Sequence, residues 1–453
     1  MTAGPAERQT AIDRLEHWRD GPRRQRLHGL PAGPRLPELV QTLGLWTARP
    51  QFLRWAHSRY GDVFTVRDAP VGQAVVLCNA DHVQQVLRGD PEIFRAGEGN
   101  AALRPIVGRR SVITLDEPAH RSARRRMTPA FHGDRVAPMV ATMSDLAARE
   151  VSTWPVGQDF ALLHRTQKLS MDFIVGIVLG VEGARAAQFG DAVRHAMPLD
   201  ARDMSLWLWP GLGRYWPWRR TIANMDRADQ ILYDEIAARR RDPFRAQRAD
   251  VLSMLLDGDQ DDDELVRDEL VTLLMTGHET TAVAIAWMFE RLLRHPDALD
   301  RVLSGLDDPS DPYRDAVIKE TLRLRPAIHN LMRRISKPLE VAGYHLPEGT
   351  ILMPAIGVLH TDERFWGEDA GMFRPERWLE TTAANPAWVP FGGGARRCLG
   401  AIFAHTEMSV VLRTVLRMVE LQPDRSGDET PKMHHAVVIP SRGARIRVIR
   451  RLA

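Results

Sequence analysis

The sequence predicts a mainly α fold with a small β-rich region. Three observations carry that expectation. Across 137–241 the apolar residues recur at helical spacing, interrupted around 210–217, where prolines and glycines gather. A second helical pattern runs over 263–295 without a break. Runs of β-branched and apolar residues are short and few by contrast: 63–66, 73–77, 339–341, 344–346 and 350–356. At 453 residues the chain exceeds the usual size of a single core, so two domains or one large fold is expected.

Composition excludes several classes of function. Hydrophobic residues make up 44% and charged residues 26%, as in an ordinary globular protein. The net charge of +3 comes with no long basic block, which argues against nucleic acid as a partner. Cys78 and Cys398 are the only cysteines, too few for a disulfide framework or a structural zinc site; a reducing cytoplasm fits. Nothing in 1–28 approaches the apolar run of roughly 20 residues that a membrane helix needs, so no membrane anchor is expected.

Taken in order, 10–19 reads as a short helix within an otherwise loose, flexible N-terminal segment, 1–30. The proline-rich stretch 30–37 cannot be helix interior. A helix over 50–60 ends at Gly61, and 63–66 and 73–77 flank Pro70, Val71 and Gly72 as a hairpin. Cys78 closes that hairpin on its apolar side and reads as plain core. Asp116, Glu117 and Pro118 open a helix that runs until Pro129; on it His120 and Arg124 lie four apart and share a face.

The long helix over 263–295 is acidic where it starts and basic where it ends, as its dipole prefers, and Pro296 stops it. Its apolar middle is broken by Thr276, Gly277, His278, Glu279, Thr280 and Thr281. A polar cluster with a glycine inside a buried helix is costly, which marks it for a function. Ser310, Asp311 and Pro312 start a further helix, which carries Glu320 and Arg323 and ends before Pro326. Arg333 and Arg334 come just before the short strands, and Pro375, Glu376, Arg377 and Trp378 come after them.

The stretch from Phe391 to Gly400 is built to hold a sulfur. Gly392, Gly393 and Gly394 allow backbone angles and approaches that a side chain would block. Beyond Cys398, the residues Leu399, Ile402, Phe403, Met408, Val411, Leu412 and Val415 recur at helix spacing. Cys398 therefore stands where a glycine-rich loop enters a helix. The helix dipole, with Arg396 and Arg397 nearby, is expected to favour its thiolate.

The spacing of Phe391, Gly394, Arg396, Cys398 and Gly400 resembles the haem-binding loop of the cytochrome P450 family. Further motifs follow the family's order over 31–453. The resemblance implies the cytochrome P450 fold: one large helical domain over 31–453. It also implies haem b with Cys398 as its axial ligand. His120 and Arg124 would donate to a haem propionate, joined by Arg396 and by Arg333 or Arg334, the spacing to Gly343 favouring Arg333. Phe391, Gly394 and Gly400 would shape the cradle. Gly277 would let dioxygen and substrate approach the long helix, and Glu279 and Thr280 would manage the proton supply to oxygen. Thr276 departs from the small residue that usually opens this motif. Glu320, Arg323 and Arg377 would brace the cysteine loop, with Trp378 in place of the commoner Phe.

The activity so implied is mono-oxygenation: insertion of one atom of O2 into an apolar small molecule, by hydroxylation or epoxidation, of a terpenoid-, fatty-acid- or other natural-product-like kind. Electrons would come from NAD(P)H through a ferredoxin or flavodoxin and its reductase, to a cytoplasmic monomer. Two alternatives remain at this point: a relative that isomerises hydroperoxides or uses peroxide directly, and a haem sensor or carrier without turnover. Glu279 and Thr280 count against both. Trp207, Trp209, Trp216 and Trp218 cluster where the family places a mobile lid over the substrate channel. They would line the channel, touch a membrane surface, or pack the lid onto the core.

Overall fold

Asp263–Leu292, the helix at the middle of the molecule, organises everything around it. Its 30 residues span about 45 Å. The Asp262 carboxylate caps it by accepting the Leu265 N–H. Every side chain from Thr281 to Leu292 is buried, so this half is enclosed on all faces. The helix ends before the expected 295, and Pro296 opens the next helix, Pro296–Ser304, from its first turn.

The computed structural model describes the chain except for residues 1–8, 20–26, 70, 132, 182, 197–201, 204, 258–261, 309, 381–382, 435 and 453. Against the central helix pack Leu162–Leu179, Trp218–Arg240, Pro312–Leu324 and Ala401–Met418. The largest hydrophobic core lies among them. The helical reading of 137–241 resolves into Met139–Ser152, Leu162–Leu179, Gly183–Ala196 and Trp218–Arg240, with the strand Asp159–Ala161 between the first two.

A five-stranded sheet stands beside this helical mass. Its order is Val63–Asp68, Gly72–Leu77, Ile351–Pro354, Arg333–Ile335, Phe94–Arg95. The predicted hairpin is its first pair, with Val66 opposite Ala74, and Cys78 is fully buried beyond it. Leu339–Val341 and Tyr344–Leu346 form a separate two-stranded hairpin, turned by Ala342 and Gly343 at φ 54° and 78°. Arg333–Ile335 is itself a strand, which the arginine pair concealed in the sequence.

Between sheet and helices sits a buried ionic brace. Arg323, wholly inaccessible to solvent, donates to both oxygens of Glu320 at 2.7 and 2.8 Å and to the carbonyls of His360 and Ala370, each at 2.7 Å. The same carboxylate accepts from Arg377 Nε and Trp378 Nε1, both at 3.0 Å. Every lone pair of Glu320 thus has a donor, the condition under which a buried charge is tolerated.

Glu407, on Ala401–Met418, is a second buried carboxyl without that compensation. The Ser170 hydroxyl donates to its Oε1, and its Oε2 has no hydrogen-bond partner. Burial pushes its pKa up to about 8. An unfolded Glu titrates near 4.3, so the folded chain holds this proton more tightly, and stability falls as pH rises between about 4.3 and about 8. Glu407→Gln should flatten that fall, raising the melting temperature at pH 8 and changing it little near pH 4. Superimposable melting profiles of variant and parent against pH would contradict this.

The tryptophan cluster divides. Trp207 is buried and donates to Ala102 O at 2.6 Å, and Trp218 donates to Arg202 O at 3.0 Å. Trp209 and Trp216 are 60% and 84% exposed. Packing onto the core is therefore the role of Trp207 alone among the first three. The N-terminal segment is likewise not uniformly loose: Ala11–Arg19 is a helix, as its pattern predicts, and it is docked.

Candidate active site

The cysteine loop owes its path to glycine at two positions. Gly392 and Gly394 take φ 67° and 61°, where side chains are strained. A Cβ on Gly394 would also lie 2.0 Å from Leu87 O, so no other residue fits there. The Cys398 N–H donates to Phe391 O at 2.9 Å, closing the loop on itself, and half-buried Phe391 packs on the helical core. At Gly400 an added Cβ would meet nothing within 4 Å and φ is −87°, so the protein's own contacts do not demand glycine there.

Cys398 has accessible surface, yet burial is the foremost influence on its thiol. The two facts agree if the sulfur lies on the floor of an internal recess, surrounded by protein on the remaining sides. Burial raises its pKa; the Gly400 N–H and the charges of Arg124 and Arg397 act in the opposite sense and lose. The expectation of a thiolate favoured by the loop itself is corrected accordingly. In the protein alone desolvation wins, and a coordinated cation would be needed to deprotonate the sulfur outright.

A cluster of cations surrounds this recess. Arg396 donates to Leu115 O at 2.8 Å and Asp116 Oδ1 at 3.1 Å, while its Nε is buried without a partner. Arg333 is 5% exposed and donates to Met332 O; burial and the nearby Arg396 push its pKa down to about 10 against the pull of Asp116. Arg124, on Ala119–Met127, is lowered by burial. His120, one turn earlier, is buried and pairs through Nδ1 with Glu117 Oε1 at 2.8 Å. Its pKa is lowered, because burial and Arg396 outweigh the carboxylate of Glu117. Arg334 points away from this group, half-buried, toward Glu98 at 3.5 Å.

Among the described residues, Asp116 and Glu117 are the carboxylates that ion-pair within this group, against three arginines and a histidine whose lowered pKa favours the neutral ring. Buried positive charge in excess is costly unless an anion shares the site. A ligand carrying carboxylates on one edge and a thiol-seeking metal at its centre fits both features, and haem with its propionates is such a ligand. Asp116 and Glu117 as site residues were not legible beforehand: they read as helix-opening residues, and only tertiary contact turns them inward.

On the central helix, Thr276, Thr280 and Thr281 return their hydroxyls to the carbonyls of Thr272, Gly277's predecessor Thr276, and Gly277, at 2.7, 2.7 and 3.2 Å. His278 is buried with Nδ1 on Leu274 O, and burial lowers its pKa to about 4, so it is neutral. Glu279 faces the helix Leu162–Leu179, where Gln167 Nε2 donates to its two oxygens at 3.1 and 3.2 Å. Burial raises its pKa, with Gln167 acting in the opposite sense. Gly277 has a different reason from the expected one. A Cβ there would lie 2.7 Å from Ile174 Cδ1, so its missing side chain lets two helices approach.

Comparison with known proteins gives consistent answers. A family profile described as Cytochrome P450 matches residues 28–448. A Mycobacterium tuberculosis protein named cytochrome P450 135B1 is 40% identical over 439 residues, covering 93% of this chain and 91% of that protein. Another, cytochrome P450 135A1 from the same organism, is 34% identical over 429 residues, covering 93% and 95%. The solved structure of retinoic acid bound cyanobacterial CYP120A1 superposes with a TM-score of 0.82 at 22% identity, covering 93% of this chain and 100% of that one; it speaks to the fold alone.

Proposed function

Since the chain belongs to the cytochrome P450 family of haem-thiolate mono-oxygenases, we propose that it inserts one atom of O2 into an apolar small molecule, with Cys398 as the iron ligand. The observation that carries this reading is the excess of buried cations around the recess that Cys398 faces. Haem b, when bound, supplies the oxygen-activating iron chemistry. Arg124, Arg333, Arg396 and His120 would hold its carboxylates; Arg334, turned toward Glu98, would not. Phe391, Gly394 and Gly400 complete the loop beneath it. The chain has no second cysteine near Cys398 for thioether attachment, which suits a non-covalent haem.

The polar cluster of the central helix then has a task. Burial makes Glu279 a carboxyl that keeps its proton to higher pH than usual, while Gln167 Nε2 holds it in place. The Thr280 hydroxyl donates to Thr276 O and keeps its lone pairs free to accept a proton, so rotation about its C–O bond passes a proton on. Thr280→Ala should leave substrate-induced spectral shifts intact but divert most reducing equivalents to hydrogen peroxide. Equal coupling of NADPH use to product in variant and parent would reject the role.

Electrons would arrive from a ferredoxin or flavodoxin with its reductase, delivered to a monomer in the cytoplasm, where unpaired Cys78 and Cys398 are at home. No helix among the described residues is long and apolar enough to cross a membrane. Arg125 and Arg397 are exposed and available to an acidic partner, whereas Arg126 is engaged by Glu269 at 2.6 Å. The substrate we infer is apolar, of terpenoid or fatty-acid character; the cavity above the central helix, walled by Ile106, Val193, Met225, Leu232 and Met275, has room for about one water, so a substrate of that size requires it to open.

A further inference from the structure

The helix Ala11–Arg19 precedes the family match, which starts at residue 28, yet it is docked onto the folded body. Ala11 and Leu15 have no exposed surface, and the helix packs on Ile106, Val107, Leu206, Trp207 and Met275. Polar ties fix it along its length. The Ala11 N–H donates to Asp226 Oδ1 at 2.8 Å, and Glu16 pairs with Arg214 at 3.1 Å. Arg14 is the central tie: its Nε donates to Pro105 O at 2.9 Å and its Nη2 meets Asp229 Oδ2 at 2.9 Å. One short helix thus joins Arg104–Val107, the tryptophan-bearing connection and the long helix Trp218–Arg240.

Beneath Arg14 lies a cavity of about 30 Å³, floored by Val271, Leu274 and Met275 of the central helix. Arg267, Val271 and Met275 line it at a spacing of four, and the next residue in that row is Glu279. Met275, the cavity residue nearest the acid assigned to proton handling, lies one turn before Glu279, whose carboxylate turns to Gln167 on Leu162–Leu179. A helix of nine residues is not stable by itself, so it either docks or melts, which makes it a two-state element.

We propose that Ala11–Arg19 is the outer wall of the substrate chamber and selects ligands by size: small ligands pass while it is docked, and bulky ones require its release, with Arg14–Asp229 as the latch. The inference rests on reading the central helix as the oxygen-activating wall of a haem site. It is tested in the full-length, haem-loaded protein with two azoles that ligate haem iron, imidazole and the far bulkier clotrimazole, followed by stopped-flow Soret shifts. Leu15→Asp should undock the helix and accelerate both association and dissociation of clotrimazole about tenfold, because the exchange-competent fraction rises. Imidazole rates should stay within about twofold. Arg14→Ala, which leaves Leu15 in place, should move the clotrimazole rates in the same direction by less. Unchanged clotrimazole rates, or equal acceleration of both azoles, would overturn the proposal.

Hydrogen exchange reads the same device without any haem ligand. Amides of 14–19 should exchange faster than those of 281–290 in the parent, and Arg14→Ala should accelerate only the former. Equal protection of both segments would overturn the wall as a releasable element. Absence of any Soret shift with imidazole in the parent would tell against the haem-thiolate reading instead, and the exchange result would still decide the helix.

Discussion

Cys398→His is expected to yield a folded protein that takes up haem but gives, in its ferrous CO complex, the spectrum of an imidazole-ligated haem, with mono-oxygenase activity at background. The parent should show the strongly red-shifted Soret band that only a thiolate ligand produces. Holding the cofactor and tuning its iron are separate tasks. Arg124, Arg333 and Arg396 through charge, and His120 through its ring N–H, would hold the carboxylates away from the iron, so retention of the cofactor should survive. Electron donation from the sulfur should not survive, because imidazole is neutral and a weaker donor than a thiolate. A parent protein whose CO spectrum already matches histidine ligation would remove Cys398 from its role.

Arg323→Leu should be the most damaging change to the fold. The guanidinium makes five bonds in a wholly buried position, two to Glu320 and three to the carbonyls of His360, Ala370 and Met372. Leucine would leave the Glu320 carboxylate with Arg377 as its remaining cation and strand those carbonyls without a donor. Breaking a buried pair from one side costs about 3–5 kcal/mol, against a total stability of roughly 5–15 kcal/mol for a typical protein. Expression should fall, and the melting temperature and haem content of whatever is recovered should drop together. Arg323→Lys keeps the charge but cannot span the same acceptors, so it should rank between the two. A leucine variant melting with the parent would show that the brace is dispensable.

Much of the architecture was legible because it rests on period and punctuation. The central helix, the hairpin at 63–77, the helix carrying Glu320 and Arg323, and the buried state of Cys78 all follow from apolar spacing bounded by Pro, Gly and Asp. The strands Val419–Pro423 and Arg445–Arg451 were not legible, since arginines alternate through the second and its partners are remote in sequence. The residues of the site were singled out through motif spacing, but their orientations were not. Gly277 is small for the sake of Ile174, and Arg333 and Arg334 face opposite ways although adjacent.

The sequence by itself determined the helical class, the cysteine loop and the family, because each is written in local spacing along one segment. Tertiary structure alone decided which charges share the recess, why the Cys398 thiol is raised and not lowered, and that the helix Ala11–Arg19 docks on Ile106, Leu206 and Trp207. These are balances between desolvation and contacts made by segments up to hundreds of residues apart. Burial, which sets the strength of every charge in the site, exists only once the chain has folded.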